Sequence, residues 1–510
     1  MAEKIMEFPA EKMRIGREVL VRKHDFLLVM MGRLITALVA VASLRIMTTL
    51  LEPAAYGQWA LLVAFQTFCA LFLINPVDQH LFRHAHEWWG EGRLLSYLTR
   101  FDQYIRRVSI FIIIAVLLWW YYIPSEGGDN LEVRLLAAVV VGAIVYFGTW
   151  NIIFVTLLNM LGFRVQSVTW MIISSLVGLA CSTLFVLQYP HAISWVLGQA
   201  LGALVGAFGA WRTLQSHSHK STAFSKRIVF SDFLSHSTIL KFCLPLAAAT
   251  GFMWLQNTGY RFLVGDVWGS SELGILVAGL GISAQLTAIV ESLAMQFLYP
   301  YFARRIADAK TDDHTCEALS DLMNVLAPIY AIWAGFNAIC SAVLLMVLTD
   351  ARYHAAIPFV IFGAMIEFMR CTTNLWSNTA RALRRTKGLV IPYGLGAAFV
   401  WLGAIGVAYF KAGLFELSSV LVVGAIVTCG AMIVIMQRLL LITIDRPRII
   451  FGLVLMSVCF ISAIKSPIQT VGFYQSIVIL IFSGIVACFL MAVTLWRNLA
   501  LTRLLSTSLR

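Results

Sequence analysis

The chain has 510 residues, of which 60% are apolar and only 13% charged, with a formal net charge of +12. A mean hydropathy of +0.83 lies far from soluble-domain averages and excludes a water-soluble globular enzyme. What remains is a polytopic membrane protein, because its uncharged runs of about 20 residues each match a hydrocarbon core about 30 Å thick.

Fourteen spans are predicted, near residues 27–51, 56–78, 107–123, 132–158, 167–187, 193–211, 242–264, 272–298, 320–348, 355–379, 389–410, 417–436, 449–465 and 473–496. These segments are too long and too uniformly apolar for barrel strands of about 10 residues, so the fold class is an all-α integral membrane protein. Thirty of the 38 lysines and arginines fall on one side of this topology. The positive-inside rule then places both termini in the cytoplasm. The net charge follows from topology and from attraction to anionic lipid headgroups, and gives no support to nucleic-acid binding.

Ahead of the first span, "EKMRIGREVLVRKHDF" mixes basic and apolar residues at helical spacing and reads equally as an interfacial helix or a frayed tail. The sequence "ALVAVAS" at 37–43 mimics a signal-peptidase site, but uninterrupted helix to Leu51 argues that the first helix is retained. That helix meets "LLEPAAYGQWALL", residues 50–62, where Glu52-Pro53 breaks the chain and Gly57 permits close approach as the next helix begins. Next comes "QHLFRHAHEWWGEGR" at 79–93. Its His80 and His84 have metal-binding spacing, but the surroundings favour an interfacial helix anchored by Trp88 and Trp89, and no metal site is assigned. The nine cysteines are scattered singly, with no disulfide or C-x-x-C pattern.

Sliding the chain against itself by 217 residues lays the first hairpin on "VWGSSELGILVAG", residues 267–279, so that Gly57 meets Gly274 and a second bend forms at Gly269. The organisation expected from this repeat is an N-terminal segment 1–26, an N-lobe 27–211, a cytoplasmic linker 212–241, a C-lobe 242–438 and a final pair of helices with the C-terminus at 439–510. Two six-helix lobes related by a pseudo-two-fold axis along the membrane normal suit a transporter that rocks about a central site. Pro53, Gly57, Gly269 and Gly274 would form its outer gate.

Four arginines, Arg33, Arg45, Arg261 and Arg370, lie inside spans, where each costs about 2.5–3.5 kcal/mol unless it is paired, snorkelling or hydrated. Arg33 and Arg45 are about 18 Å apart along one helix and cannot hold the same phosphate, yet they can act in sequence from the two halves of the membrane. Arginine suits a pyrophosphate because its planar fork makes two charge-assisted hydrogen bonds. Snorkelling is the bland alternative for Arg45 and Arg261, and marking the membrane boundary is that for Arg33. Arg370 has Glu367 three residues earlier, so it reads first as an ion pair and second as a substrate contact. Carboxylates that can carry a coupling proton or sodium ion are Glu291, Asp78 and Glu367. Gln66, Asn257, Gln285 and Asn374 can line a sugar-binding cavity, their ordinary alternative being helix-to-helix hydrogen bonds.

The hairpin "RIMTTLLEPAAYGQWALLVAF" at 45–65, its partner at 244–282 and the exit "FLYPYFARR" at 297–305 resemble the polysaccharide transporters, the oligosaccharide flippases of the multidrug/oligosaccharidyl-lipid/polysaccharide exporter superfamily. The resemblance implies an undecaprenyl-pyrophosphate-linked oligosaccharide moved from the cytoplasmic to the periplasmic leaflet of a bacterial inner membrane by alternating access. It further implies a final helix pair that, in some flippases, helps form a groove for the lipid tail. Compatible partners are membrane lipids, a polysaccharide polymerase and a chain-length regulator, and no cofactor is expected beyond a coupling ion. A drug/cation exporter is the alternative within the transporters. A membrane-embedded polymerase or ligase is disfavoured, since the longest outer loop, Pro124 to Asn130, has no room for a catalytic set.

Overall fold

The computed structural model describes residues 29–122, 131–217, 237–309, 311–383, 385–465 and 472–506. The expected features on segment 1–26, on the outer loop at 124–130 and on most of the linker 212–241 lie outside these residues. The described chain is helical and contains no strand, as uniformly apolar runs in a bilayer require.

In chain order, α1 spans Val29–Leu50. Then α2 (Pro53–Phe68) passes through a π-helical turn, Cys69–Ile74, into α3 (Asn75–Gly90). The helices α4 (Leu94–Tyr122), α5 (Leu131–Met160), α6 (Arg164–Gln188) and α7 (Ala192–His217) follow. After the linker, α8 (Ser237–Trp254) and α9 (Tyr260–Val267) are joined by a second π-turn, Leu255–Gly259. Beyond them are α10 (Ser270–Phe297), α11 (Tyr299–Asp308), α12 (Asp312–Ile339), α13 (Ser341–Leu348), α14 (Ile357–Ala382) and α15 (Val390–Tyr409). The chain ends with α16 (Leu414–Leu439), α17 (Arg446–Lys465), α18 (Phe473–Leu495) and α19 (Leu499–Ser506).

Among the described residues, 12 helical paths are long and apolar enough to cross a membrane. The other two expected spans are α4, whose first half carries Arg100, Asp102, Arg106 and Arg107, and the α8–α9 path, whose second half carries Gln256, Asn257 and Arg261. The path Pro53–Gly90 has 38 residues, more than about 30 Å of hydrocarbon needs at about 1.5 Å per residue. The histidine-rich stretch therefore belongs to the same helical path as the second span, entered through the π-turn at Cys69–Ile74.

By contact the chain divides into two compact units, one of Met1–Ser43 with Leu73–His236 and one of Leu44–Phe72 with Ser237–Arg510. In the first, α6 and α7 meet along Gly178, Ser182, Gly198 and Gly202, small residues that let backbones approach where no hydrophobic effect operates between helices. Asp102 of α4 accepts hydrogen bonds from the Tyr146 hydroxyl at 2.6 Å and Trp150 Nε1 at 3.1 Å, and pairs with Arg106 at 2.7 Å.

In the second unit, α12 is the most buried span, with 72% of its apolar window enclosed. Pro328 interrupts it by removing one amide donor, and Asn498 Nδ2 donates at 3.4 Å to the Asn324 carbonyl that this proline leaves unmatched. The start of α2 crosses the start of α10. A Cβ placed on Gly57 would strike the Ser270 carbonyl, with its carbon at 2.8 Å and Gly274 N at 3.1 Å. A Cβ on Gly274 would likewise strike the Pro53 carbonyl, with the carbon at 2.8 Å and Gly57 N at 3.1 Å. The 217-residue offset pairs Pro53 with Ser270 and Gly57 with Gly274, so the sequence repeat is a local two-fold contact. Gly269 has φ +88, a left-handed conformation that glycine adopts without strain. Pro53 occupies the first turn of α2, where its missing amide costs nothing, so it starts the return helix as well as stopping α1.

Gly57→Ala and Gly274→Ala are expected to destabilise the protein by similar amounts, about 1–3 kcal/mol each for overpacking, with a double variant less than additive because both act on one contact. Thermal unfolding of the purified variants in detergent measures this, and simple additivity would contradict a shared contact.

Candidate functional site

The second π-turn is the local feature that builds the site. One residue too many in the turn leaves backbone carbonyls without their usual helical donors, and Trp401 Nε1 donates to the Leu255 carbonyl at 3.0 Å. The same turn carries Gln256 and Asn257 on the wall of a cleft whose lining also includes Arg370, Thr373, Asn374, Tyr393 and Thr428. Its empty volume is about 310 Å³, counted to the open mouth. Gln256 Oε1 accepts from the Thr428 hydroxyl at 2.9 Å. Gly396 has no side chain to intrude there, since a Cβ would collide with that hydroxyl and lie 2.6 Å from Gln256 Oε1.

Arg370 is the only arginine in this lining among the described residues. Its Nε donates to Glu367 Oε2 at 2.8 Å and its Nη2 to Glu291 Oε2 at 2.9 Å, while Asn374 Nδ2 donates to Glu291 Oε1 at 3.0 Å. Side-chain exposures of 27% for Arg370, 23% for Glu291 and 11% for Glu367 place the cluster inside the bundle yet within reach of the cleft. Three charges desolvated together are stable only because each is hydrogen-bonded to an opposite charge. The cluster sets two carboxyl groups against one guanidinium.

Of the residues singled out in the sequence, the structure brings Asn257, Arg370, Asn374, Glu291 and Glu367 together here. Gln285 is half-buried on α10 and is not in the cleft lining. Arg33 is exposed on α1 in the first unit, and Asp78 lies in the same unit with its Oδ1 buried and without a hydrogen-bond partner among the described residues. Arg45 is occupied elsewhere. Its Nη1 donates to the Thr349 carbonyl, with the Met346 carbonyl at 3.4 Å, and its guanidinium lies 5.8 Å from the Phe473 ring centroid. The favour is returned by Arg352, whose Nη2 donates to the Thr49 carbonyl at 2.6 Å, and by Tyr353, whose hydroxyl donates to the Leu51 carbonyl at 3.0 Å. Arg261 is half-buried beside Tyr260 and Tyr56, with its Nε buried and without a hydrogen-bond partner among the described residues. Pro53, Gly57 and Gly274 meet at the crossing described above, with Gly269 at the adjoining bend.

A family model described as "Polysaccharide biosynthesis protein" matches residues 46–358, more than half of the chain. The chain belongs to this family. No curated protein sequence matches it. In fold it is similar to the lipid II flippase MurJ in an inward closed conformation, at 12% identity and a TM-score of 0.60 over 93% of this chain and 99% of that one. It is also similar to an inward-facing multidrug resistance MATE family transporter of the MOP superfamily, at 12% identity and a TM-score of 0.57 over 85% of this chain and 98% of that one. The eukaryotic MATE transporter AtDTX14 gives 14% identity and a TM-score of 0.52 over 85% and 97%. This member of the polysaccharide biosynthesis family thus has the fold of MOP-superfamily transporters.

Sequence reasoning missed Gln256, Thr428 and Tyr393 as cleft residues and the Glu291–Arg370 bond. Gln256 is adjacent to the polar Asn257 in an otherwise apolar span, and that pair was a usable signal. Thr428 had none, because its role depends on Gly396 of another helix.

Arg370→Gln is expected to be the most damaging change in the cluster, about 3–5 kcal/mol, because it strands two buried carboxylates. Glu291→Gln keeps the geometry and leaves one opposite pair, so it should cost far less, and the double variant should recover part of the loss. Thermal unfolding in detergent checks the order; an Arg370→Gln protein as stable as wild type would show that the cluster does not bear on folding.

Proposed function

We propose that the chain is a MOP-type flippase that moves an undecaprenyl-pyrophosphate-linked oligosaccharide from the cytoplasmic to the periplasmic leaflet of a bacterial inner membrane. The observation that carries this reading is a cleft inside an apolar bundle, lined by Arg370 and by the amides and hydroxyls of Gln256, Asn257, Asn374, Thr373 and Thr428, in a chain of the polysaccharide biosynthesis family. Amides and hydroxyls match sugar hydroxyls, and a guanidinium matches a phosphate oxygen pair. The cleft is open at its mouth, so a sugar or phosphate would meet these groups there while the rest of the glycan and the lipid tail stay outside it.

Alternating access requires no covalent step, and the chain acts as a transporter without enzymatic chemistry. Both termini are cytoplasmic by the distribution of basic residues. The α2–α10 crossing at Gly57 and Gly274 supports a closed gate in this conformation, tied further by Arg45, Arg352 and Tyr353. The carboxylates Glu291 and Glu367 are the candidates for binding a coupling ion. A polymerase and chain-length regulator would receive the product.

A second reading, export of a cationic drug, is favoured by one observation: the cluster holds two carboxylates to one guanidinium. The two readings separate in one experiment. In cells depleted of the protein, a membrane-impermeant glycan probe is expected to find lipid-linked oligosaccharide on inverted vesicles and not on intact cells. Normal outward display with altered sensitivity to cationic drugs would select the exporter. Asn257→Ala, which removes a cleft amide carrying no charge, is expected to lower outward display severalfold at unchanged membrane level.

A further inference from the structure

The chain is fixed to its neighbours on both sides of the second π-turn. On the α8 side, Trp254 Nε1 donates to the Ala64 carbonyl of α2 at 2.9 Å. Gly251 lies so near the Phe72 ring that a Cβ there would be 2.8 Å from it. On the α9 side, Val264 is fully buried, and Trp268 Nε1, one residue past the helix, donates to the Ala412 carbonyl at 3.1 Å. All of these residues belong to the second unit. With both ends held, the extra residue has to be stored between them. Relaxing the turn into α-helix would rotate α8 against α9 by about 100°, the angle that one residue subtends, and break one of the attachments.

Helix α15 meets the stored residue at two places. Gly396 leaves room for Gln256 Oε1, and Trp401, further along α15, donates from Nε1 to the Leu255 carbonyl at 3.0 Å. An indole can only donate. It therefore answers a carbonyl that has lost its helical donor and adds nothing to a regular turn, where the amide four residues on already serves that carbonyl. Without this N–H the π-turn keeps an unanswered acceptor inside an apolar bundle, and the α-helical register becomes the more stable one. The held register leaves a mark on α9. Arg261 Nε is buried without a hydrogen-bond partner among the described residues, which fits a helix kept in a phase that its own side chains do not select.

Two side chains of the turn, Gln256 and Asn257, line the cleft with Arg370, and Trp401 itself is not in that lining. We propose that Trp401 is a positioning residue of the cleft: its indole N–H holds the π-turn and so keeps Gln256 and Asn257 where a cargo meets them. That these amides meet a cargo rests on the transport reading; that Trp401 sets their direction rests on the geometry of the turn. A π-turn at a functional site is a common use of this irregularity, and here one donor from another helix maintains it.

The test uses the full chain in detergent and a water-soluble methanethiosulfonate, with modification read by mass spectrometry on the peptide that carries an introduced cysteine. Two reporters are used singly, Asn257→Cys in the cleft and Val264→Cys on the buried face of α9. Adding Trp401→Phe is expected to slow labelling at the first or speed it at the second by about tenfold, as a change in thiol exposure implies. Trp401→His should restore both rates, since its five-membered ring can place an N–H where the indole has one. Deleting Thr258 removes the extra residue, so Trp401→Phe should change neither rate in that background. Should Trp401→Phe alone not fold, its folding once Thr258 is deleted supports the proposal, and failure in both backgrounds overturns it. Unchanged rates at both reporters, no recovery in Trp401→His, or an equal effect with and without Thr258 also overturns it. Outward display of lipid-linked oligosaccharide in cells is read separately. Altered labelling with normal display removes the transport reading of the cleft and keeps the positioning; lowered display with unaltered labelling removes the positioning.

Discussion

A polar or charged group inside an apolar bundle has to be answered by another group of the protein, and this constraint decides where the buried arginines end up. The last turn of any helix leaves carbonyls without donors. Two helix ends in the second unit solve the problem for each other: Arg45 from α1 donates to the carbonyls that end α13, and Arg352, just beyond α13, donates to those that end α1. A cation at a helix C-terminus also meets the negative end of the dipole. Arg370 is answered by carboxylates instead.

The all-helical class, most spans and the close crossing of α2 on α10 were legible in the sequence because each rests on a local necessity. A glycine where two backbones touch cannot be replaced without a clash, and that necessity made the 217-residue repeat visible at Gly57 and Gly274. Glu367 and Arg370, three residues apart on one helix, were legible for the same reason. Glu291 and Arg370 are 79 residues apart, and nothing in either segment announces the other. The π-turn at Leu255–Gly259 was equally hidden, since its freed carbonyl is answered by Trp401 from α15, 146 residues away.

An arginine in a span signals that a partner must exist without saying which. Arg33, Arg45 and Arg261 looked alike by that signal and differ in the structure: one is exposed, one caps the end of another helix, and one stands beside tyrosines. The guanidinium that does line the cleft belongs to Arg370, whose ion pair made it the least obvious of the four as a substrate contact. An ion pair and a binding site are compatible when the pair can be exchanged for the ligand.

That exchange is constrained by charge. With Glu291 and Glu367 both ionised, the cluster is negative, and a phosphate brought to Arg370 would meet two like charges in a medium where Coulomb forces are weakly screened. Neutralising either carboxylate turns the cluster neutral and frees one side of the guanidinium. Under the proposed transport reading, binding an anion and taking up a positive ion would therefore be one electrostatic event at this site. A cationic ligand would meet the opposite condition, binding to the ionised cluster and leaving as a carboxylate is protonated. Under the proposed transport reading, the same three side chains would favour one sign of cargo over the other through the order in which ion and cargo arrive, a property of the cluster as a whole.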